Sequence, residues 1–474
     1  MAEAGGVADA VAGGETFAAS SASSRERHAG AAAQTRPKPR VRQRFCSLAN
    51  DTESGPAIAL AMQRRALLRS AAALCGTALG CSAREAPAGR VSVPFWFTYG
   101  GRNRATLETL VARFNQAQTD VWVRAIFQGD YYEGLAKLRT ALAAGAAPPL
   151  SHVVGEVVPY LAAAGVLEPL DEYPGARSLP LHPALGQAGS FIGGAERPLV
   201  IVPFNRSTPI AYVNQQHYDG PAPASWSELQ GVARALTRAG RFGFGCPIDW
   251  WYWAALVGQA GGEIVEPDGN VSLGGAAGVA ALELWQRMVG AGTMKQPPGR
   301  DYNAWEQLSQ DFLAGRVSMI WSSTAFVRYL EETADFPVRA LPLPHGQRGA
   351  VPTGGTHFVV LKSAARELKQ AAWRFVRYLT GADAAAFWSR ETGYLPVTTD
   401  AARALEAVGF YAQHPNYRVA LDQLEVARPW PWSKGLFRVQ RELVQPRLEA
   451  ALLEQLDAAR VLSDARQLAR EAAL

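Results

Sequence analysis

Residues 91–154 alternate between two periodicities, and this alternation limits the fold more than any other feature of the chain. Val91-Ser92-Val93-Pro94-Phe95-Trp96-Phe97 reads as a strand that ends on a turn at Gly100-Gly101. Leu107, Leu110, Val111 and Phe114 then recur at i, i+3, i+4 and i+7, one face of a helix. A second strand follows at Val121–Phe127, a second helix at Leu135–Ala144, and Val153-Val154 begins a third strand. Strand, helix, strand, helix predicts an α/β fold with a parallel sheet under helices. Ligands of such sheets bind beyond the carboxyl ends of the strands. The chain has 474 residues, more than one core holds at roughly 100–200 residues per domain, so two lobes are expected.

Further along, Leu199–Pro203 and Ile210–Asn214 read as a pair of strands. Trp226-Ser227-Glu228-Leu229 opens a helix with Ser225 as its N-cap, and residues 225–325 are helix-rich. Gly243-Phe244-Gly245 reads as a turn. Strand-like alternation returns at Val338–Leu343 and Phe358–Leu361, and Gln440–Leu474 reads as one or two amphipathic helices. No repeat of 20–50 residues is visible.

The net charge of +5 and pI near 9.0 could suggest a nucleic-acid partner. The charge is concentrated, however, in residues 1–81, which hold ten Lys/Arg against six Asp/Glu. Beyond Cys81 the chain is nearly balanced, and no nucleic-acid partner is expected. Residues 1–61, rich in Ala, Gly, Ser and Arg, read as a disordered extension or an upstream start with Met62 as the true first residue. Residues 62–81 read as a secretory signal: Arg64, Arg65 and Arg69 precede an apolar run from Ala71 to Leu79, then small residues and Cys81. The Arg64-Arg65 pair resembles a twin-arginine export signal, although two arginines also precede ordinary apolar cores. Leu79-Gly80-Cys81 resembles the lipoprotein box, which makes Cys81 the expected lipid anchor. The mature chain then keeps only Cys246, so it can form no internal disulfide.

Groupings that carry catalysis are scarce. Six His follow Cys81, none spaced as a metal ligand pair, and no nucleophile elbow, zinc-protease or phosphate-loop motif occurs. No cofactor, metal or catalytic residue is expected. Glu331-Glu332 reads as a solvated helical face. Aromatics are plentiful instead: all 13 Trp lie beyond Cys81. Trp373 and Trp388 read as core. Asp249-Trp250-Trp251-Tyr252-Trp253 places four aromatics in succession, and a helix cannot turn all four toward one core. A tryptophan facing a cleft suits a sugar ring or a quaternary ammonium.

Over nearly all of residues 91–445 the chain resembles the substrate-binding components of ABC importers, extracellular solute-binding protein family 1, and is most like members that bind glycerol phosphate and glycerophosphodiesters. The resemblance rests on Pro94-Phe95-Trp96, Arg113-Phe114-Asn115, Pro203-Phe204-Asn205-Arg206-Ser207-Thr208-Pro209, Trp226-Ser227-Glu228-Leu229, Phe312–Met319, Gly354-Gly355 and Thr392–Val397. It implies a periplasmic-binding-protein-like (type II) fold: two α/β lobes joined by a hinge, with ligand in the interlobe cleft. On this pattern residues 91–212 with 327–381 form lobe 1, and 213–326 with 382–474 form lobe 2. The resemblance also implies a monomer that binds its ligand, closes, and delivers it to membrane permease subunits without catalysis.

Carried over position by position, the resemblance implies ligand contacts from Tyr131, Glu156, Ser207, Trp251, Ser323, Gly355 and Tyr394. Strict spacing puts the acid on Gly155, and Glu156 beside it is chosen for its carboxylate. A second family tryptophan falls on Ile248, a departure that Trp250 or Trp253 is expected to offset. The family's phosphate-clamping arginine falls on Gln445, with Arg438, Arg441 and Arg447 nearby. Glutamine does not replace a bidentate arginine. A glycerophosphodiester or glycerol phosphate is therefore favoured if Arg441 or Arg447 faces the cleft, and a di- or oligosaccharide gains if neither does.

Overall fold

Ten strands build the two main sheets: β1 (Val91–Phe97), β2 (Val121–Phe127), β3 (Leu150–Val154), β4 (Val202–Ser207), β5 (Pro209–Asn214), β6 (Phe242–Gly245), β7 (Met294–Lys295), β8 (Val317–Ser323), β9 (Val338–Leu341) and β10 (Gly354–Val360). The computed structural model describes residues 86–186, 198–266, 269–296, 301–428 and 430–473. The 1–61 extension, the 62–81 signal and the Cys81 anchor lie outside the described residues.

The first sheet has the order β2-β1-β3-β10-β4, the second β7-β6-β8-β5-β9. In the first, β1 runs parallel to β2 and β3, while β10 is antiparallel to both β3 and β4. In the second, β6 is parallel to β7 and β8, and β5 is antiparallel to β8 and β9. Each lobe is thus a mixed sheet with its parallel strands to one side. Val93, Phe95 and Phe97 alternate into full burial along β1. The predicted face of α1 (Gly101–Ala117) is the buried one, with Leu107, Leu110, Val111 and Phe114 inward. Helix α2 (Tyr131–Ala143) starts four residues before the predicted Leu135. Asp130 caps it, its carboxylate accepting from the N–H groups of Tyr132 and Glu133 at 2.8 Å each.

Three expectations change. Residues 202–207 and 209–214 are both strands but not partners: β4 pairs with β10 in the first sheet and β5 with β8 and β9 in the second. Between β4 and β5 the chain passes from one sheet to the other through Thr208 alone, and it returns to the first sheet between β9 and β10. The expected lobe limits at 212 and 327 shift accordingly, because β5 and β9 both belong to the second sheet. The limit at 382 is shared: Trp388 stacks on Phe204 of the first lobe (4.8 Å, 27°), while Ala385 and Ala386 join the core that holds Ile210 and Tyr212. Lastly, Phe242–Gly245 is not a turn but a strand inside the second sheet. A Cβ on Gly243 would come within 1.8 Å of the Ala233 carbonyl oxygen, and one on Gly245 within 2.6 Å of Leu308. These glycines serve close packing of helix on strand, which looks like turn composition in a sequence.

Ser225 caps the helix Trp226–Leu236 as expected, its Oγ accepting from Glu228 N at 3.2 Å. Trp373 and Trp388 are core residues. Glu331 is partly buried, not solvated, and accepts from Asn416 Nδ2 at 2.7 Å. The tail forms two helices, Gln445–Leu453 and Ala458–Ala473, preceded by a π-helical turn, Val439–Val444.

Candidate functional site

The carboxyl ends of β2, β3, β4, β6 and β8, together with the amino end of the antiparallel β10, come to a cavity of about 120 Å³. Tyr131, Tyr132, Val154, Glu156, Ser207, Gly354, Gly355 and Tyr394 line it from the first lobe's side. Asp249, Trp251, Trp305, Ser323, Ala325, Phe326 and Gln440 complete it. All seven residues expected to contact ligand thus border one cavity, although they span positions 131 to 394. A wider opening of about 590 Å³ continues outward and shares Tyr131, Ala325, Phe326 and Tyr394 with it. At that opening Arg102 of α1 forms an ion pair with Glu332 of the second lobe.

Local structure sets each of these side chains. Tyr131 is the first residue of α2, and its hydroxyl accepts from Asn205 Nδ2 at 3.4 Å. Glu156 sits in the helical turn Gly155–Val157 that β3 runs into. Ser323 ends β8, and its Oγ accepts from Ala325 N at 3.2 Å, capping the next turn. Tyr394 lies flat against Trp388 (5.8 Å, 10°). Gly355 has φ +100° at a register shift between β10 and β4, and a Cβ there would lie 1.8 Å from the Asn205 carbonyl oxygen. No other residue fits that position. Asp249 caps α3 (Trp250–Gln259), its Oδ1 accepting from Trp251 N at 2.7 Å.

The second lobe's wall is aromatic. Trp251 stacks on Trp305 of α4 (Asp301–Leu313) with centroids 5.5 Å apart and planes 20° apart. Trp305 also packs on Phe326 at 6.1 Å. A Cβ on Gly354 would lie 2.8 Å from the Trp251 ring, so the two lobes close to contact here. The Nε1–H of Trp251 and Oε2 of Glu156 are buried and make no hydrogen bond within the protein. Burial raises the Glu156 carboxyl to about 7, with Asp249 adding to the rise and Arg206 and Arg441 opposing it. Burial likewise holds the Tyr394 hydroxyl well above its ordinary value, so it stays a donor.

Four further expected residues lie elsewhere. Trp250 and Trp253 are core: their rings meet at 5.5 Å, Trp250 also meets Trp430, and Trp253 Nε1 donates to Gly278 O. Neither offsets the lost tryptophan at Ile248; Trp305, from a separate helix, fills that role in the wall. Gln445 caps α3 instead of reaching ligand, accepting from Trp250 N at 2.9 Å and donating to Ile248 O at 2.6 Å. Arg447 donates to Leu443 O on its own helix. Arg441 lies over the Tyr132 ring, 3.5 Å from its centroid, at the edge of the cavity. The π-turn at Val439–Val444 explains the shift, since it breaks the 3.6-residue phase that spacing arguments assume. As a result Gln440, not Gln445, comes to the wall.

Sequence reasoning also missed Trp305, Asp249, Gln440 and the buried Arg206. Arg206 and Asp249 stood inside segments already singled out, and a charged residue flanked by apolar neighbours was the available signal. Trp305 gave none, because its position depends on how α4 packs.

A family profile described as bacterial extracellular solute-binding protein matches residues 109–418. The sn-glycerol-3-phosphate-binding periplasmic protein UgpB of Yersinia pseudotuberculosis is 24% identical over 385 residues, covering 77% of this chain and 87% of that protein. Among solved structures, UgpB from Mycobacterium tuberculosis in complex with glycerophosphocholine superposes with a TM-score of 0.70 at 25% identity, covering 81% of this chain and 98% of that one. The GacH receptor of Streptomyces glaucescens, solved with acarbose, gives the same TM-score at 20% identity, with the same shares covered. The two-lobe, type II periplasmic-binding-protein fold is therefore the one this sequence adopts, and the chain belongs to the bacterial extracellular solute-binding proteins.

Proposed function

We propose that this protein is the solute receptor of an ABC importer, exported, anchored through a lipidated Cys81 and monomeric, and that its ligand is a glycerophosphodiester or glycerol phosphate. Tyr131, Glu156, Ser207, Trp251, Ser323, Gly355 and Tyr394 contact that ligand in this reading, and Trp305, Asp249 and Gln440 join them. The observation that carries it is the chemistry of the wall: two stacked indoles face a cavity that also holds two carboxylates, Glu156 and Asp249. Indole faces and carboxylates together suit a quaternary ammonium such as choline, while hydroxyls and the Gly355 backbone suit glycerol and phosphate oxygens. The UgpB relatives support the same ligand class. Arg441, at the cavity edge, is the residue nearest the role of the displaced family arginine.

A second reading, a di- or oligosaccharide, is favoured by one observation: among the described residues no arginine lines the cavity itself. Calorimetric titration of the purified protein with glycerophosphocholine, glycerol-3-phosphate and maltose separates the two. Binding of a phosphodiester supports the first reading; binding of maltose alone overturns it in favour of the second.

A further inference from the structure

The largest unsettled charge in the described fold lies behind the cavity. Arg206, on β4 next to the wall residue Ser207, is 1% exposed. Its Nη2 donates to Thr353 Oγ1 at 2.7 Å, but its Nε and Nη1 make no hydrogen bond, and no carboxylate of the described residues reaches ion-pair distance. A buried charge without a partner is costly, so a fold that keeps one usually has a use for it. Nη1 lies beneath Gly155, 3.8 Å from where a Cβ would stand, and Glu156 is the next residue. Glu156 mirrors the arginine in part: the residue is half-buried, and its Oε2 is buried and unbonded.

We propose that Arg206 is a positioning residue of the solute site: from behind the wall its uncompensated charge counters the burial of the Glu156 carboxyl, so that this side of the cavity can ionise against a quaternary ammonium or accept from hydroxyl donors. This rests on the ligand reading above. Arg206 has no place in the cavity lining, so it acts on ligand only through Glu156. Its own charge persists at neutral pH, since burial lowers it only to about 10 and Glu156 supports it. The backbone N–H at Glu156 also favours ionisation, and Arg206 is the foremost charged side chain that does so. His357, on β10 beside Arg206, is held well below its ordinary value by burial and by Arg206, and is neutral. Asp249 faces the carboxyl from α3 and pushes against ionisation, and Arg441 pulls with Arg206 from the tail. Tyr131, Tyr132 and Tyr394 line the same cavity. With burial pushing Glu156 up to about 7 even in their presence, loss of Arg206 leaves it largely protonated at neutral pH.

The test is the affinity of the intact protein for glycerophosphocholine, followed by calorimetry from about pH 5.5 to about pH 8.5. Wild-type affinity is expected to rise by up to roughly tenfold per pH unit below about 7 and to level off above it. Glu156→Gln should bind more weakly, with a flat profile. Arg206→Met should move the rise upward by about one pH unit, whereas Arg206→Lys, which keeps the charge, should leave the midpoint in place. A flat wild-type profile, or an unmoved midpoint in a folded Arg206→Met protein, overturns the proposal. Should Arg206→Met fail to fold, Arg206→Lys decides: a wild-type midpoint supports the role of charge, and a midpoint displaced upward refutes it. If maltose binds and glycerophosphocholine does not, the ligand reading fails. The same series with maltose then tests Arg206 alone, because sugar hydroxyls need the same ionised acceptor.

Discussion

The two walls of the cavity are built on the same sheet plan but by different means. The first lobe presents side chains fixed at strand ends: Glu156 where β3 stops, Ser207 where β4 stops, Gly355 where β10 starts. Their positions follow from register, so one residue's placement implies its neighbours'. The second lobe presents helical aromatics, Trp251 from α3 and Trp305 from α4, which meet only because two helices far apart in sequence pack together. The polar wall is set by hydrogen-bonded backbone, and the aromatic wall by side-chain packing. Substitutions should therefore act differently on the two.

The largest effect is expected at the backbone of the polar wall. Gly355→Ala forces a Cβ into the Asn205 carbonyl at positive φ and should cost more than about 3 kcal/mol, read from urea unfolding; a loss below about 1 kcal/mol would show that the β4–β10 junction relaxes easily. Next is Glu156. Its folded-state value, raised from 4.5 to about 7, means the neutral carboxyl is the form the fold favours. That contribution is complete below about 4.5 and is lost as pH rises through about 7, a fall of roughly 3 kcal/mol in the unliganded protein. Thermal unfolding across this window should show the decline, and Glu156→Gln should flatten it.

On the aromatic wall, Trp251→Ala and Trp305→Ala should each weaken ligand binding by about 2 kcal/mol, measured by calorimetry. Equal affinities for both variants and wild type would mean the stacked pair does not touch ligand. Gln445→Ala sharpens the contrast within one segment: it should lower stability by about 1 kcal/mol through the lost bonds to Trp250 and Ile248 while affinity holds. Gln440→Ala should do the reverse. The smallest effect is expected at the rim. Glu332→Ala removes the exposed pair with Arg102 and should change affinity by less than about 0.5 kcal/mol, and less still at high salt.

Legibility in the sequence follows the same division. β1, the apolar face of α1 and the Ser225 cap could be read because local periodicity and cap chemistry determine them. The strand-end residues of the polar wall came from the family resemblance, carried over position by position, and not from local periodicity. Phe242–Gly245 was misread because glycines chosen for close helix packing have the composition of a turn. Gln445 was misplaced because a π-turn leaves no mark in a residue count. Trp305 and the function of Arg206 depend on contacts across the fold, which no local pattern encodes.

The single-residue passage between the sheets has a mechanical consequence. Ser207 ends one sheet and Pro209 begins the other, so at this crossing Thr208 alone spans them, and a proline after it restricts its backbone to extended geometry. Thr208 is fully buried; its carbonyl accepts from Thr324 N and its hydroxyl from Gln423 Nε2. Such a crossing works as a pin: it fixes one point about which the lobes can turn, and the longer passage between β9 and β10 ties them a second time. Ser207, adjacent to the pin, is expected to be displaced little by such a turn, while the ion pair of Arg102 and Glu332 at the opening has to break for the lobes to part there. The protein can thus keep part of its grip constant through the whole stroke and leave arrival and departure of the solute to the rim.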